Sequence, residues 1–356
     1  MWAAFFMPIY PKHIFTFKTY IYYKRTVKRG QAMNSVLSIF PPYLKDQVEA
    51  YVKNHFYKLQ EIRLRQNQPI EFIFDDYIGY IQSVCNYDDF SYIVNQLSEY
   101  SLYRLADELR EGYITINGGH RVGLAGQVIT ENGSVKAIKH IRFLNIRIAK
   151  EKLNVAKPIM HYLYEDNYLN TLLVGPPQSG KTTYLRDITR LISSGWGKVS
   201  GKKVALIDER SEIAACKDGI PQHNVGKRTD VMDACPKAEG MMMMIRSMSP
   251  DIIVVDEIGS NKDVAALLEA INAGITIVCT VHGSSIEELK RRPSLHKVFQ
   301  EHIFERIVLL QANEHGNRIK SIYDEKERTI FDYKRRQSNE MVWSNYPNRN
   351  IDNYRV

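Results

Sequence analysis

The sequence predicts an α/β protein in which a small α+β N-terminal domain precedes a domain built on a largely parallel sheet. The C-terminal part alternates short apolar runs with helical patterns, and this alternation indicates parallel strands joined by right-handed crossovers. The predicted strands there are residues 171–174, 204–208, 252–256 and 275–281, the helices 181–194 and 262–273, with a hairpin at 305–311 and 318–323. Residues 34–150 are expected to form the first domain and residues 151–330 the second.

The N-terminal domain is predicted from mixed periodicity. Apolar residues recur every four positions through residues 43–56, which predicts an amphipathic helix, and two further helices are expected at 88–99 and 101–111. Strands are expected at 61–65 and 70–74. The Asn-Gly steps at 117–118 and 132–133 indicate tight turns between strands from 113 to 148.

The segment from 211 to 250 has little clear pattern, and a stretch of that length is usually functional or mobile. It contains Met241 to Met244, which favour a buried helix that leads to Arg246, although a flexible contact surface is the alternative. Residues 331–356 are polar and are expected to form a loosely ordered tail.

The charge of the chain is concentrated at its start. The 356 residues carry a net charge of +8, with 48 Lys and Arg against 40 Asp and Glu. Residues 1–32 hold six of the basic residues and no acidic residue, so the remainder is nearly neutral and gives no general indication of nucleic-acid binding. We expect residues 1–33 to be a basic, aromatic extension that is disordered or not native, with Met33 as the natural start. A membrane-surface anchor is the alternative. The scattered Cys85, Cys216, Cys235 and Cys279 fit no usual zinc spacing and suit reduced cysteines of a cytosolic protein.

A phosphate-binding loop follows the first predicted strand of the second domain. Residues 175–182 fit the pattern G-x-x-x-x-G-K-[ST] at every fixed position. Its glycines let backbone N–H groups converge on phosphate, and the following helix adds the positive end of its dipole. Lys181 is expected to reach the terminal phosphates and Thr182 to hold Mg²⁺. The nucleotide-binding residues predicted here are Gly175, Pro176, Pro177, Gln178, Ser179, Gly180, Lys181, Thr182 and Thr183.

Acidic residues and a histidine follow other strands of the same sheet. Asp256-Glu257 ends one apolar run, so Asp256 is expected to bind the Mg²⁺ shell and Glu257 to orient or deprotonate water. Asp208-Glu209 ends another, and residue types alone do not divide the catalytic roles between the two acidic pairs. His282 ends the strand 275–281, where it could bind the γ-phosphate.

These motifs resemble those of the type II/IV secretion ATPase superfamily in type and order: Walker loop, acidic strand at 208–209, Walker B at 249–259 and Thr-Val-His-Gly at 280–283. Within it, the segments Glu-Ile-Arg-Leu-Arg (61–65), Gly-Gly-His-Arg-Val-Gly-Leu-Ala-Gly (118–126) and 144–151 resemble the stage III sporulation protein AA family. The resemblance covers roughly residues 34–330.

The resemblance implies a P-loop (RecA-like) ATPase domain that uses ATP and Mg²⁺. It implies a homo-hexamer, peripheral at the cytoplasmic face of the mother-cell membrane, that works with the channel complex joining mother cell and forespore. By motif, Lys181 and Thr182 bind nucleotide and metal, Asp256-Glu257 form Walker B, Glu209 lies in the Asp box and His282 in the His box. Many secretion ATPases have Gly-Glu where this chain has Asp256-Glu257, so either Glu209 or Glu257 is the catalytic base.

Two points stay open at this level. Motifs do not identify an arginine finger, and Arg121, Arg142, Arg147 and Arg210 are the candidates. The alternative function is a P-loop ATPase that binds single-stranded nucleic acid through basic segments, although the nearly neutral body makes nucleic acid the less expected partner.

Overall fold

The computed structural model describes residues 30, 32–99, 112–131, 133–312 and 318–333. The chain divides into two compact units between Ala149 and Lys150. Residues 1–29, the predicted helix at 101–111 and residues 334–356 of the predicted tail lie outside the described residues. Each unit is described by itself.

The described part of unit 1 is a sheet with two helices packed on one face. The helices are α1 (Pro42–Val52) and α2 (Tyr87–Leu97), and a helical segment at 32–37 precedes them. The strands are β1 (Leu59–Arg65), β2 (Pro69–Phe74), β3 (Ile78–Val84), β4 (Tyr113–Ile116), β5 (His120–Glu131) and β6 (Ser134–Arg147). They pair in the order β3-β2-β1-β6-β5-β4, with antiparallel neighbours.

The two faces of this sheet differ in chemistry because successive side chains point to opposite sides of a strand. Ile62, Leu64 and Ile146 are buried with residues of α1 and α2 in the core of the unit. The opposite face carries Arg63 and Arg65 of β1, Arg121 of β5 and Arg147 of β6, which we call the arginine face. The register places Glu61, Arg147 and Arg121 side by side across three neighbouring strands.

Unit 2 contains the parallel sheet. Its strands are β7 (Thr171–Gly175), β8 (Val204–Asp208), β9 (Thr229–Asp233), β10 (Ile252–Glu257), β11 (Thr276–His282), β12 (Arg306–Leu310), β13 (Ile319–Asp324) and β14 (Thr329–Asp332). Its helices are α3 (Lys181–Ser194), α4 (Lys237–Met248), α5 (Asn261–Asn272), α6 (Ile286–Lys290) and α7 (His296–Gln300).

The strand order is β14-β13-β12-β7-β11-β10-β8-β9. Neighbours from β12 to β9 are parallel, whereas β12, β13 and β14 pair antiparallel. Every residue of β7 and β8 is buried, as expected for strands that are covered on both faces. Leu173 packs with Leu185 and Ile188 of α3, while Leu172 and Val174 face the side of α4 and α5. This confirms the predicted α/β class with a largely parallel sheet.

Several elements were not expected from the sequence. β9 lies inside the segment 211–250, in which no strand was expected. β9 is an edge strand with only intermediate or exposed residues, so it lacks the apolar run that marks a buried strand. The methionines lie in α4, where Met241 and Met244 are buried, in agreement with the buried-helix interpretation. β3 alternates between exposed and intermediate residues, and β14 extends to Asp332.

None of the helices in the described ranges has both the length and the apolar character required to cross a bilayer.

Candidate functional site

The loop between β7 and α3 has the backbone of a phosphate cradle. Gly180 adopts φ +93 and Gln178 φ +61, both in the left-handed region, which glycine adopts at little cost and other residues seldom adopt. α3 begins at Lys181 directly after this turn. The N–H groups of its first turn have no partner within the helix and carry the positive end of its dipole. A chain of phosphates is the ligand that this arrangement suits.

Close packing also fixes the start of the loop. A Cβ on Gly175 would overlap Ser179 Oγ, so no larger residue fits without moving the loop. Ser179 is fully buried, and its Oγ has no hydrogen-bond partner. An unpaired buried hydroxyl is uncommon, and this one lies directly against the first glycine of the loop.

Lys181 extends back along the loop. Its Nζ donates to Gly175 O at 2.7 Å and to Pro176 O at 3.2 Å. Burial lowers the pKa of this ammonium, and the charges of Glu257 and Asp256 oppose that shift. The Lys181 charge is therefore held between the loop carbonyls and the Walker B acids.

A cleft of about 450 Å³ opens at the carboxyl edge of the sheet. It combines loop residues, three carboxylates and three cations within unit 2. The lining residues are Gln178, Gly180, Lys181, Thr182, Thr183, Arg210, Glu212, Asp256, Glu257 and Arg318. The structure thus brings together most of the predicted nucleotide-binding residues with Asp256 and Glu257.

Asp256 is the buried acid of the cleft. It is 8% exposed, and desolvation raises its pKa to about 6, with smaller contributions from the charges of Asp208 and Glu212. A carboxylate in such surroundings is favoured in its ionised form by a cation. Glu257 follows it and is exposed.

The acidic tip of β8 is arranged differently. Asp208 Oδ1 accepts the N–H of Glu212, and Oδ2 accepts the N–H groups of Ile213 and Ala214, at 2.8–3.0 Å. Burial raises the Asp208 pKa, and these three donors oppose the rise. Asp208 therefore organises the loop that follows β8.

The same loop brings Glu212 into the cleft. Arg186 of α3 donates to the carbonyls of Glu212 and Ile213, at 2.6 and 2.5 Å. The backbone of Glu212 is thus held from both sides, by Asp208 and by Arg186. Glu212 was not among the residues predicted from the sequence, where its one signal is that it is a further acid shortly after the end of β8.

Glu209 and His282 lie near the cleft but do not line it. Glu209 forms an ion pair with Lys237 of α4. His282 ends β11 and pairs in register with Gly175 of β7, so its side chain starts beside the first glycine of the loop. Pro176 and Pro177 form the outer part of the loop without lining the cleft.

The donors present suit Mg²⁺ with a nucleotide. The Thr182 hydroxyl and the Asp256 carboxylate are hard oxygen ligands, and Mg²⁺ in such sites takes one or two protein ligands with the remainder from phosphate and water. In the described part of the chain, no group of three or more His, Cys, Asp or Glu side chains is arranged to hold a metal.

The candidate arginines lie in different surroundings. Arg210 lines the cleft. In unit 1, Arg121 lies 4.5 Å from the Tyr113 ring centre and Arg142 lies 4.9 Å from that of Tyr87. Arg147 is more exposed than Arg121 and Arg142, with 66% of its side chain accessible, and its Nε lies 3.8 Å from a carboxylate oxygen of Glu61.

Comparisons with known proteins agree with this geometry. A family model described as sporulation stage III, protein AA matches residues 31–330. The chain is 48% identical over 292 residues to stage III sporulation protein AA of Bacillus subtilis (strain 168), a match that covers 82% of this chain and 95% of that protein.

Two solved structures share the fold at low sequence identity. The Legionella pneumophila ATPase DotB has a TM-score of 0.53 and 15% identity, and the match covers 86% of this chain and 85% of that chain. The pilus retraction motor PilT with bound ADP has a TM-score of 0.53 and 16% identity, with 83% and 88% covered. Their likeness confirms the expected P-loop (RecA-like) fold. The chain belongs to the sporulation stage III, protein AA family.

Proposed function

We propose that this chain is a Mg²⁺-dependent ATP hydrolase that works as a ring motor in sporulation. The observation that carries the proposal is the cleft in which the Walker loop meets Glu212, Asp256 and Glu257. Positioned cations and hydrogen-bond donors around a phosphoryl group, with a carboxylate beside the attacking water, supply most of what phosphoryl transfer requires.

Each residue has a role in this proposal. The N–H groups from Gln178 to Thr183 and the Lys181 ammonium hold the phosphates, and Lys181 exchanges its loop carbonyls for phosphate oxygens. Thr182 and Asp256 hold Mg²⁺, which neutralises charge on the terminal phosphates. His282, next to Gly175, hydrogen-bonds the γ-phosphate.

Glu257 is proposed as the general base. It follows the metal-binding Asp256 and extends into the cleft, so it can accept a proton from water next to the terminal phosphate. Glu212 faces the same space on a fixed backbone and is proposed to hold that water in line. Glu209 is proposed to maintain the loop through Lys237, because its carboxylate is already paired with that lysine.

The catalytic test compares Lys181→Ala with wild type and with Lys198→Ala, an exposed lysine of the same unit. Phosphate release is expected to fall at least about 100-fold in Lys181→Ala, because the charge on the terminal phosphates loses its partner. Lys198→Ala is expected to match wild type. Equal rates for all three proteins would refute the enzyme assignment.

A homo-hexamer is proposed because the arginine face offers cations to a neighbouring copy. Arg147 is the favoured finger, since its side chain is largely exposed, and Arg121 lies beside it. Mixing Arg147→Ala with Lys181→Ala tests this, because a mixed ring contains sites with an intact loop from one copy and Arg147 from the next. The mixture is expected to exceed the mean rate of the two variants; a rate equal to that mean would refute the finger.

Family membership supports a proposal for the location of the ring. We propose that the ring lies in the mother cell, peripheral to the cytoplasmic face of the membrane, and drives assembly of or transport through the channel complex to the forespore. Fractionation of sporulating cells with and without the other channel proteins tests this. Membrane association that persists without any of them would contradict docking on the complex.

The arginine face also favours a second candidate, a P-loop ATPase that binds single-stranded nucleic acid. Four arginines lie on one sheet face, where Arg63 and Arg147 lie close to Glu61 and Arg65 pairs with Glu71. Phosphodiesters would compete with these carboxylates for the arginines, and such contacts weaken with salt. Hydrolysis measured with and without single-stranded DNA or RNA separates the two. Salt-sensitive stimulation that is lost in Arg63→Ala/Arg65→Ala would favour this candidate.

A further inference from the structure

Arg318 lies at the end of the cleft away from the carboxylates. β7, which leads into the Walker loop, has β10 and β8 on one side and β12 and β13 on the other. Neighbouring strands are about 4.8 Å apart, so β10 and β13 each lie roughly 10 Å from β7. Arg318 directly precedes β13. The cleft thus extends from the acids on one side, across the loop, to Arg318 on the other.

The Arg318 side chain crosses the outer turn of the Walker loop. Its Nη1 donates to Gln178 O at 2.9 Å. A Cβ on Gly180 would meet Arg318 Nη1 at 2.9 Å and Cδ at 3.2 Å, so the side chain occupies the space that the glycine leaves. Arg318 therefore contacts the loop at its two left-handed residues, Gln178 and Gly180.

The backbone of Arg318 is fixed on the same sheet. Its carbonyl accepts the Gln311 N–H at 2.8 Å, and Ile319 pairs with Leu310 of β12, which itself pairs with β7. The guanidinium therefore extends from the hydrogen-bonded start of β13. A group placed on such a support can keep one position relative to the loop.

The direction of a bound nucleotide follows from these positions. Its terminal phosphates and Mg²⁺ belong beside Asp256 and Glu257. The α-phosphate and nucleoside then leave the loop toward the opposite end, near the first turn of α3. Tyr184 of that turn lies within electrostatic range of Arg318: burial raises the pKa of its phenol, and the charge of Arg318 opposes the rise.

From this geometry we infer that Arg318 binds the nucleoside of ATP, with the plane of its guanidinium stacked on the purine base. This inference rests on the proposed nucleotide hydrolysis. It adds to the site a residue that binds the nucleoside, and therefore favours a nucleotide over a bare triphosphate. A guanidinium that donates from one edge to Gln178 O keeps a flat face for an aromatic ring, which an ammonium does not offer.

The test compares two ligands, Mg-ATP and Mg-tripolyphosphate, by titration calorimetry on the full chain. Arg318→Ala is expected to weaken ATP binding about tenfold, because it removes a stacked cation, and to leave tripolyphosphate binding unchanged. In steady-state hydrolysis, KM is expected to rise about tenfold while kcat stays within roughly threefold. Lys320→Ala, an exposed residue of the same strand, is the matched control and is expected to behave as wild type.

Arg318→Lys separates stacking from charge. It keeps the charge but not the plane, so its loss of ATP affinity is expected to approach that of the alanine variant, and it carries the test if Arg318→Ala does not fold. Equal weakening of both ligands would show that Arg318 acts on the phosphates or through the phosphate loop, and would overturn the inference. If the wild type hydrolyses ATP and the Arg318 variants bind ATP as tightly as it does, the inference is overturned and the proposed function is not affected. A wild type that binds no ATP would overturn both.

Discussion

The same dipeptide, Asp-Glu, stands at the carboxyl end of both β8 and β10, where Glu209 directly follows β8 and Glu257 is the last residue of β10. The two pairs lie at the same edge of one sheet but have different surroundings. At β10, Asp256 and Glu257 both line the cleft. At β8, three backbone N–H groups surround Asp208, and Lys237 pairs with Glu209. The acid that reaches the cleft from β8 is Glu212, three residues beyond Glu209.

The difference shows that a sequence motif alone does not assign a role to a carboxylate, because nearby hydrogen-bond donors can bind its oxygens. A carboxylate that accepts backbone N–H groups stabilises a loop, whereas one left facing a cleft is available to a cation or to water. The two strand tips can therefore be compared directly by matched substitutions.

The largest difference is expected between Asp256→Asn and its control. Asp256→Asn should lower hydrolysis by about 10²–10³-fold, because the amide cannot replace a negatively charged ligand of Mg²⁺. Phosphate release over a range of Mg²⁺ concentrations checks this. Asp230→Asn, an exposed acid of β9, should leave the rate unchanged. If high Mg²⁺ restored the rate of Asp256→Asn to the wild-type value, Asp256 would not be required in the catalytic step.

The next contrast is Glu212→Gln with Glu209→Gln. Loss of a carboxylate that positions water is expected to lower kcat by about 100-fold. Glu209→Gln should change kcat by less than about threefold, since it removes only a partly exposed ion pair. Single-turnover hydrolysis at saturating ATP measures both. The reverse ranking would return the catalytic role to Glu209.

Asp208→Asn is expected to act mainly on stability. The amide would place donors against the N–H groups of residues 212–214, at a cost of about 2 kcal/mol. That corresponds to a Tm lower by roughly 4–8 °C for a unit of this size. Thermal unfolding without ligand tests this, with Asp230→Asn again as control. An unchanged Tm would mean that the loop does not depend on Asp208.

The smallest effect expected is the pH dependence of Asp256 in metal-free protein. Its pKa rises from 3.8 to about 6 on folding, so the native state binds the proton more tightly than the unfolded state. The stability that protonated Asp256 contributes is therefore complete below about pH 4 and is lost as the pH rises through 6. From pH 5 to 7, wild type should lose about 1 kcal/mol relative to Asp256→Asn. Equal slopes of Tm against pH would contradict this shift.

The local parts of the site could be predicted from sequence. Residues 171–194 form strand, loop and helix as expected, because a buried strand, fixed glycines and an amphipathic helix are all encoded by neighbouring residues. Asp256 and Glu257 were predictable for the same reason, since they end a continuous apolar run.

The remaining parts depend on distant contacts. Glu212 enters the cleft because Asp208 and Arg186 hold its backbone, and Arg186 belongs to another element. Arg318 reaches the loop because β13 pairs with β12 and β12 with β7. Neither Glu212 nor Arg318 belongs to a periodic pattern of apolar residues in the sequence. β9 escaped prediction because edge strands need not be apolar on either face.

The position of β7 between β11 and β12 has a consequence for the order of folding. Thr171 pairs with Val278 on one side and Arg306 on the other, so the strand that supports the phosphate loop gains its partners only from much later parts of the chain. Such distant pairings form slowly. A chain still emerging from the ribosome holds the whole Walker sequence before it holds either neighbour of β7. ATP affinity is therefore expected to appear only after β12 has joined the sheet, which makes nucleotide binding a measure of completed folding in unit 2.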